Sequence, residues 1–203
     1  SPTYEGRIAD IETIAKLVHS KGIPLIVDEA HGAHLGLAEG FAKNSCQCGA
    51  DLVIHSVHKT LPALTQSALL HVNGRLVDRE RLRRFLHIYQ SSSPSYVLMA
   101  GIDNALQLVK EQGDYLFARL QVNYLRILTE LSECRNLHFL PLDARQDIGK
   151  LVILSSKAGL SGQQIYDILL KKYHPQLEMA APGYCLAMFT IGDGEEAYRR
   201  MTD

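Results

Sequence analysis

The 203-residue sequence predicts an α/β fold: part of a large domain with a mainly parallel sheet, then a small α+β domain. Three observations carry this expectation. Short, solidly apolar runs (PLIVD at 24–28, DLVIHS at 51–56, SALLHV at 67–72) follow or separate helical patterns, as buried strands of α/β sheets do. The first run comes directly after a helix that Gly22 and Pro24 stop. Beyond residue 135 the texture changes to strand, strand, helix, strand at short spacing, the order of a small α+β unit.

Taken in order, residues 8–21 set Ile8, Ile11, Ile14, Ala15, Leu17 and Val18 on one face of a helix, with Asp10 placed to cap or solvate its first turn. PLIVD is the first strand, HGAHLGL a glycine-punctuated loop, and DLVIHS and SALLHV the next strands. Residues 76–88 read as a polar-faced helix, with RERLRR (79–84) its solvated face. SSSPS (91–95) is a loop in which Ser95 can cap a helix starting near Tyr96. From Ile102 to Cys134 the pattern is helical, with a break expected near Gly113. Leu137–Leu140, Leu151–Ser155 and Met188–Ile191 read as strands, and Ser161–Tyr173 as a capped amphipathic helix. The expected domains are 1–135 and 136–203.

Composition narrows the function. At 46% hydrophobic and 21% charged, the chain can bury a sizeable core. A net charge of −1 provides no electrostatic footprint for nucleic acid. No apolar run reaches the roughly 18 residues of a membrane span, and no signal peptide is recognisable. Cys46, Cys48, Cys134 and Cys185 match no strong zinc pattern and suit a reducing cytoplasm. The opening SPTYEG, without an initiator Met, reads as the middle of a domain.

The chemistry centres on IVDEAHGAH (26–34). Its D-E-A-H string is shared with helicase-type ATPases, but the G-x-x-x-x-G-K-[ST] loop that cradles their nucleotide does not occur in this sequence. A metal site on His31 and His34 fits by spacing alone. It would leave Asp28 and Lys59 without purpose and set a lysine beside a divalent cation. His34, His55 and His71 read instead as structural residues in or near the sheet edge. Asp28 ends one strand and Lys59 follows the next by a few residues, so both reach the carboxyl edge where open α/β sheets bind ligands. Ser56 and His58, beside Lys59, can donate to a phosphate. Pyridoxal 5′-phosphate needs this set: a lysine to carry it, an acid to keep its ring nitrogen protonated, and phosphate donors. Asp28, not Glu29, is then the acid that matters.

IVDEAHGAH, GADLVIHSVHKTLPALTQSALLHV and YQSSSPSYVLMAGID together resemble the bacterial Orn/Lys/Arg decarboxylases, PLP-dependent enzymes of the aspartate-aminotransferase fold type I. The resemblance covers most of residues 1–110, and residues 137–203 look like the family's small C-terminal domain. It implies that Lys59 carries the cofactor, that Asp28 pairs with the pyridine nitrogen, and that Ala30 packs against the ring from the same strand face. It further implies that Ser56 and His58 contact the phosphate and that His31 stands beside the cofactor, for substrate contact or proton handling. The implied reaction is decarboxylation of lysine, ornithine or arginine to the amine and CO₂, with Lys59 or His31 returning the proton to the α-carbon.

The SSSPS loop resembles a segment that reaches the partner subunit's cofactor phosphate, which implies at least a homodimer. Here Ser92 stands where Thr is expected and Gly101 where Ser is expected. Family members carry a substantial segment ahead of SPTYEG, with the first strands and the phosphate loop, so the resemblance implies a fragment with little activity alone. An aminotransferase or lyase of the same fold, or a non-catalytic remnant or interaction module, are the alternative readings.

Overall fold

The structure, a computed structural model, describes residues 1–202. Contacts divide the described chain into two compact units. One comprises Ser1–Pro2 and Ile8–Gly113; the other comprises Thr3–Arg7 and the residues from Asp114 onward. The division falls inside a helix, whereas the sequence placed it at 135/136.

In the first unit, α1 (Ile11–His19) starts at Asp10, whose carboxylate accepts from the Thr13 N–H at 3.1 Å. Gly22, at φ +68°, takes the left-handed conformation that closes the helix end. Of the apolar positions expected on one face, Ile11 and Ala15 are buried, while Ile14 and Leu17 are exposed. Ile11 packs with Val27, Ala50 and Val53, flanked by Leu25, Cys46 and Cys48.

The sheet has the order β1–β2–β3, where β1 is Ile26–Asp28, β2 Leu52–Ser56 and β3 Ala68–Val72. β1 and β2 are parallel, with Asp28 opposite Ile54, but β2 and β3 are antiparallel, with His55 opposite Leu69. The sheet is therefore mixed. The link from β2 to β3 holds only the one-turn helix α2 (Val57–Thr60) and a turn, which is too short for the crossover that a parallel pair needs.

The polar helix is α3 (Arg79–Tyr89), capped by Asp78 and with no buried residue. α4 (Tyr96–Leu131) starts at Ser95, whose hydroxyl accepts from the Leu98 N–H at 3.4 Å. It passes through Gly113 without the expected break. A helix-interior glycine costs roughly 1 kcal/mol, which burial of Ala105, Leu116, Phe117 and Leu120 on either side outweighs.

The second unit is an antiparallel sheet of order β4–β5–β7–β6. Its strands are β4 (His138–Phe139), β5 (Lys150–Leu154), β6 (Met179–Ala181) and β7 (Tyr184–Met188). α5 (Gly162–Ile168) opens on a capping box between Ser161 and Gln164 and continues into a π-helical turn over Leu169–Tyr173. The last strand lies earlier than Met188–Ile191, and β6 and the terminal helix α6 (Glu195–Thr202) were not anticipated. Phe189 stacks on Tyr198 at 5.0 Å, and the Tyr124 hydroxyl, whose pKa burial raises, donates to the Lys150 carbonyl at 2.9 Å. The Thr3–Arg7 segment joins this unit through Arg7–Asp143 at 2.7 Å and the Asp147 N–H on the Gly6 carbonyl at 2.9 Å.

All four cysteines are free thiols, and burial pushes that of Cys185 up to about 11. Among the described residues no helix is long and apolar enough to cross a membrane.

Candidate functional site

Because β1 and β2 are parallel neighbours, their carboxyl ends lie on one edge of the sheet. Asp28 closes β1 and Ser56 closes β2. Alternation puts Asp28 level with Ile54 and on the face shared by Ile54 and Ser56. Lys59 follows on α2, so its amine is delivered from the strand beside Asp28.

The Lys59 Nζ lies 3.1 Å from His31 Nε2. His31 is buried and Lys59 partly so. An ammonium has only donors, so a charged Lys59 requires a neutral His31 with its lone pair on Nε2. The geometry lets one proton pass between them.

β1 ends at Asp28, so Ala30 stands in the following turn rather than on the strand. Its N–H donates to Asp28 Oδ1 at 3.0 Å, which fixes the carboxylate's angle by a local Asx-type bond. The His58 ring nitrogen Nδ1 is 2.9 Å from the Ser67 carbonyl. A carbonyl only accepts, so Nδ1 carries the proton, and any contact from His58 to an anion must use Nε2. Ser56 caps α2 by position but makes no capping bond with its hydroxyl.

The opposite face of the same edge holds what sequence reasoning passed over. Glu29 is 2% exposed. Its carboxylate accepts from the Ser45 N–H at 3.0 and 3.1 Å and from the Ser45 hydroxyl at 2.6 Å. His55 Nε2 lies 2.7 Å away, and His55 Nδ1 is 3.1 Å from His71 Nε2. As a carboxylate Glu29 only accepts, so the proton of His55 sits on Nε2 and His71 donates to Nδ1. Burial, and then the repulsion that a protonated His55 would add, hold the His71 pKa below the ordinary histidine value. The available signal was alternation: Glu29 follows Asp28, so it must point to the face of Val27, and His55 shares that face with Val53. Among the described residues no cluster of three or more His, Cys, Asp or Glu is disposed to hold a metal ion.

With a mixed α/β sheet that sends a carboxylate and a lysine to one edge from adjacent parallel strands, the chain has the fold of the PLP-dependent proteins of fold type I. Solved structures agree in fold. The Francisella novicida lysine decarboxylase LdcF matches with a TM-score of 0.82 at 19% identity, over 98% of this chain and 34% of that one. The Bacillus subtilis ureidoglycine–glyoxylate aminotransferase matches with a TM-score of 0.72 at 15% identity, over 97% and 56%.

Within that class, the chain belongs to the Orn/Lys/Arg decarboxylase family, whose major domain matches residues 1–143. The arginine decarboxylase of Bacillus cereus is 32% identical over 202 residues, 96% of this chain and 44% of that protein. That of Bacillus subtilis is 29% identical over all of this chain and 43% of that protein. The chain thus spans less than half the length of these curated relatives. The family's cofactor is pyridoxal 5′-phosphate, and the donor set fits it in kind: an amine for its aldehyde, a carboxylate for its ring nitrogen, a hydroxyl and an imidazole for its phosphate.

Proposed function

We propose that this chain contributes the lysine-bearing half of the active site of a PLP-dependent decarboxylase acting on a basic amino acid: lysine, ornithine or arginine. The observation that carries the reading is the 3.1 Å approach of Lys59 Nζ to His31 Nε2, beside two strand ends that present Asp28 and Ser56. When bound, the cofactor supplies an electron sink for the pair left on the α-carbon as CO₂ departs.

The chain's residues do the rest. Lys59 would hold the cofactor through its amine. His31 Nε2 takes the proton that Lys59 Nζ must shed to become a nucleophile. Either group then returns a proton to the α-carbon. Asp28, angled by the Ala30 N–H, keeps the pyridine nitrogen protonated, and Ala30 leaves room for the flat ring. Ser56 Oγ donates to the phosphate, and His58, with Nδ1–H already on the Ser67 carbonyl, does so through Nε2 as the imidazolium.

Residues 1–135 belong to the cofactor domain in this reading and 136–203 to the small domain. Exposed Ile88, Tyr89, Tyr96 and Val97 support a homo-oligomer, and the free thiols support a cytoplasmic setting. The 203-residue chain by itself binds the cofactor weakly, because three strands with an exposed Asp28 offer it only one wall.

Borohydride reduction with pyridoxal phosphate tests the assignment by peptide mapping. The cofactor should be trapped on Lys59, and Lys59→Met should abolish the trapping. Trapping spread over other lysines with Lys59 unlabelled would sink it. Release of CO₂ from the three amino acids, assayed on a protein of the relatives' full length, tests the reaction.

A further inference from the structure

We infer that Glu29 is the positioning residue of this site: its buried carboxylate pins the turn that carries Asp28, Ala30 and His31. This rests on the cofactor reading above and deepens it.

Burying a carboxylate is costly unless its oxygens are fully bonded. Glu29 meets that condition with bonds to two separate segments. Ser45 holds it from the turn over residues 45–49, through both backbone and hydroxyl. His55 holds it from β2, one residue before Ser56. Asp28 precedes Glu29 on the opposite strand face, and Ala30 and His31 follow it in the turn. A displacement of Glu29 therefore moves all three.

Two further observations agree. The Glu29 carbonyl accepts from the Gly32 N–H at 2.9 Å, closing the turn behind His31. A Cβ on Gly32 would stand 2.6 Å from Glu29 Cγ and 2.8 Å from Pro2 Cδ, so the turn is packed hard against the anchor. His71, bonded to the far nitrogen of His55, keeps that ring in the tautomer that donates to Glu29. Glu29, Ser45, His55 and His71 stand on the face of the cofactor edge opposite Asp28. Their effect on it is purely geometric.

The test compares Glu29→Ala with Glu29→Gln. Alanine removes the anchor. Glutamine keeps it, because its amide donates to His55 once that ring moves its proton from Nε2 to Nδ1 and His71 moves its own to Nδ1, leaving His71 Nε2 to accept. Hydrogen exchange over residues 28–32 is measured on the chain without cofactor, the His55 tautomer by nitrogen NMR, and the absorption band formed with pyridoxal phosphate by titration.

Glu29→Ala should speed exchange over 28–32 and lose the band, while exchange in β5 and β7 stays as in the wild type. Glu29→Gln should restore both readouts, with the His55 proton on Nδ1. If Glu29→Ala does not fold, Ser45→Ala, which removes the 2.6 Å contact, should speed exchange at the same residues to a smaller extent. A folded Glu29→Ala or Ser45→Ala chain with wild-type exchange over 28–32 overturns the inference. Faster exchange in Glu29→Ala, with Lys59 left unlabelled by borohydride trapping in a protein of the relatives' full length, upholds the anchor and removes the cofactor reading.

Discussion

Asp28 and Glu29 are adjacent carboxylates with opposite circumstances. Asp28 is exposed and bound by the Ala30 N–H of its own turn. Glu29 is sealed in and bound by groups 16 and 26 residues away. One residue of strand pleat separates an acid placed to meet a ligand from an acid placed to hold the fold. Their difference shows that, in a string such as D-E-A-H, chemical type says little until the face is known.

The largest effect that would break this comparison is on stability. Glu29→Ala leaves two donors of Ser45 and one of His55 in the interior, and should cost about 3–5 kcal/mol in chemical denaturation. A cost near zero would mean that Glu29 is not buried as described. Ser45→Ala should cost about 1 kcal/mol, since the backbone N–H still reaches the carboxylate.

Acidity provides a third lever. The folded-state pKa of His71 lies below its unfolded value, so the unfolded chain takes up a proton first as pH falls. The stability from this group is complete above pH about 6.5 and is lost as pH drops through the lower folded-state value. Thermal melts from pH 7.5 downward should show a decline that His71→Leu makes shallower. The smallest effect should come from Asp28→Asn, within about 0.5 kcal/mol in stability, combined with near-complete loss of decarboxylation in a full-length protein. Equal losses of stability for Asp28→Asn and Glu29→Ala would erase the contrast.

How much was legible in the sequence follows the same logic. β1 and β2 were readable because buried parallel strands are solid apolar runs, and the family match confirms the reading of the strings around them. Leu17 was placed on the buried face of α1 and is instead exposed, because a nine-residue helix resting on three strands covers only a narrow stripe. α6 escaped because EEAYRRMT buries only Tyr198 and Met201, too few positions for a visible period. β6 is three small or flexible residues with no alternation. At the site, Asp28 and Lys59 stood out by chemical type and position. The Glu29–His55–His71 chain did not, since it is formed by register between strands that lie far apart in sequence.

The close fit around Gly32 gives a rule for sorting sequences. Any side chain there collides with Glu29 and Pro2. A chain with D-E-A-H followed by a bulky residue, and without a hydrogen-bonding residue just before the serine of S-x-H-K, cannot build this edge. Two letters outside the chemistry can thus tell apart proteins that share the same four-letter string.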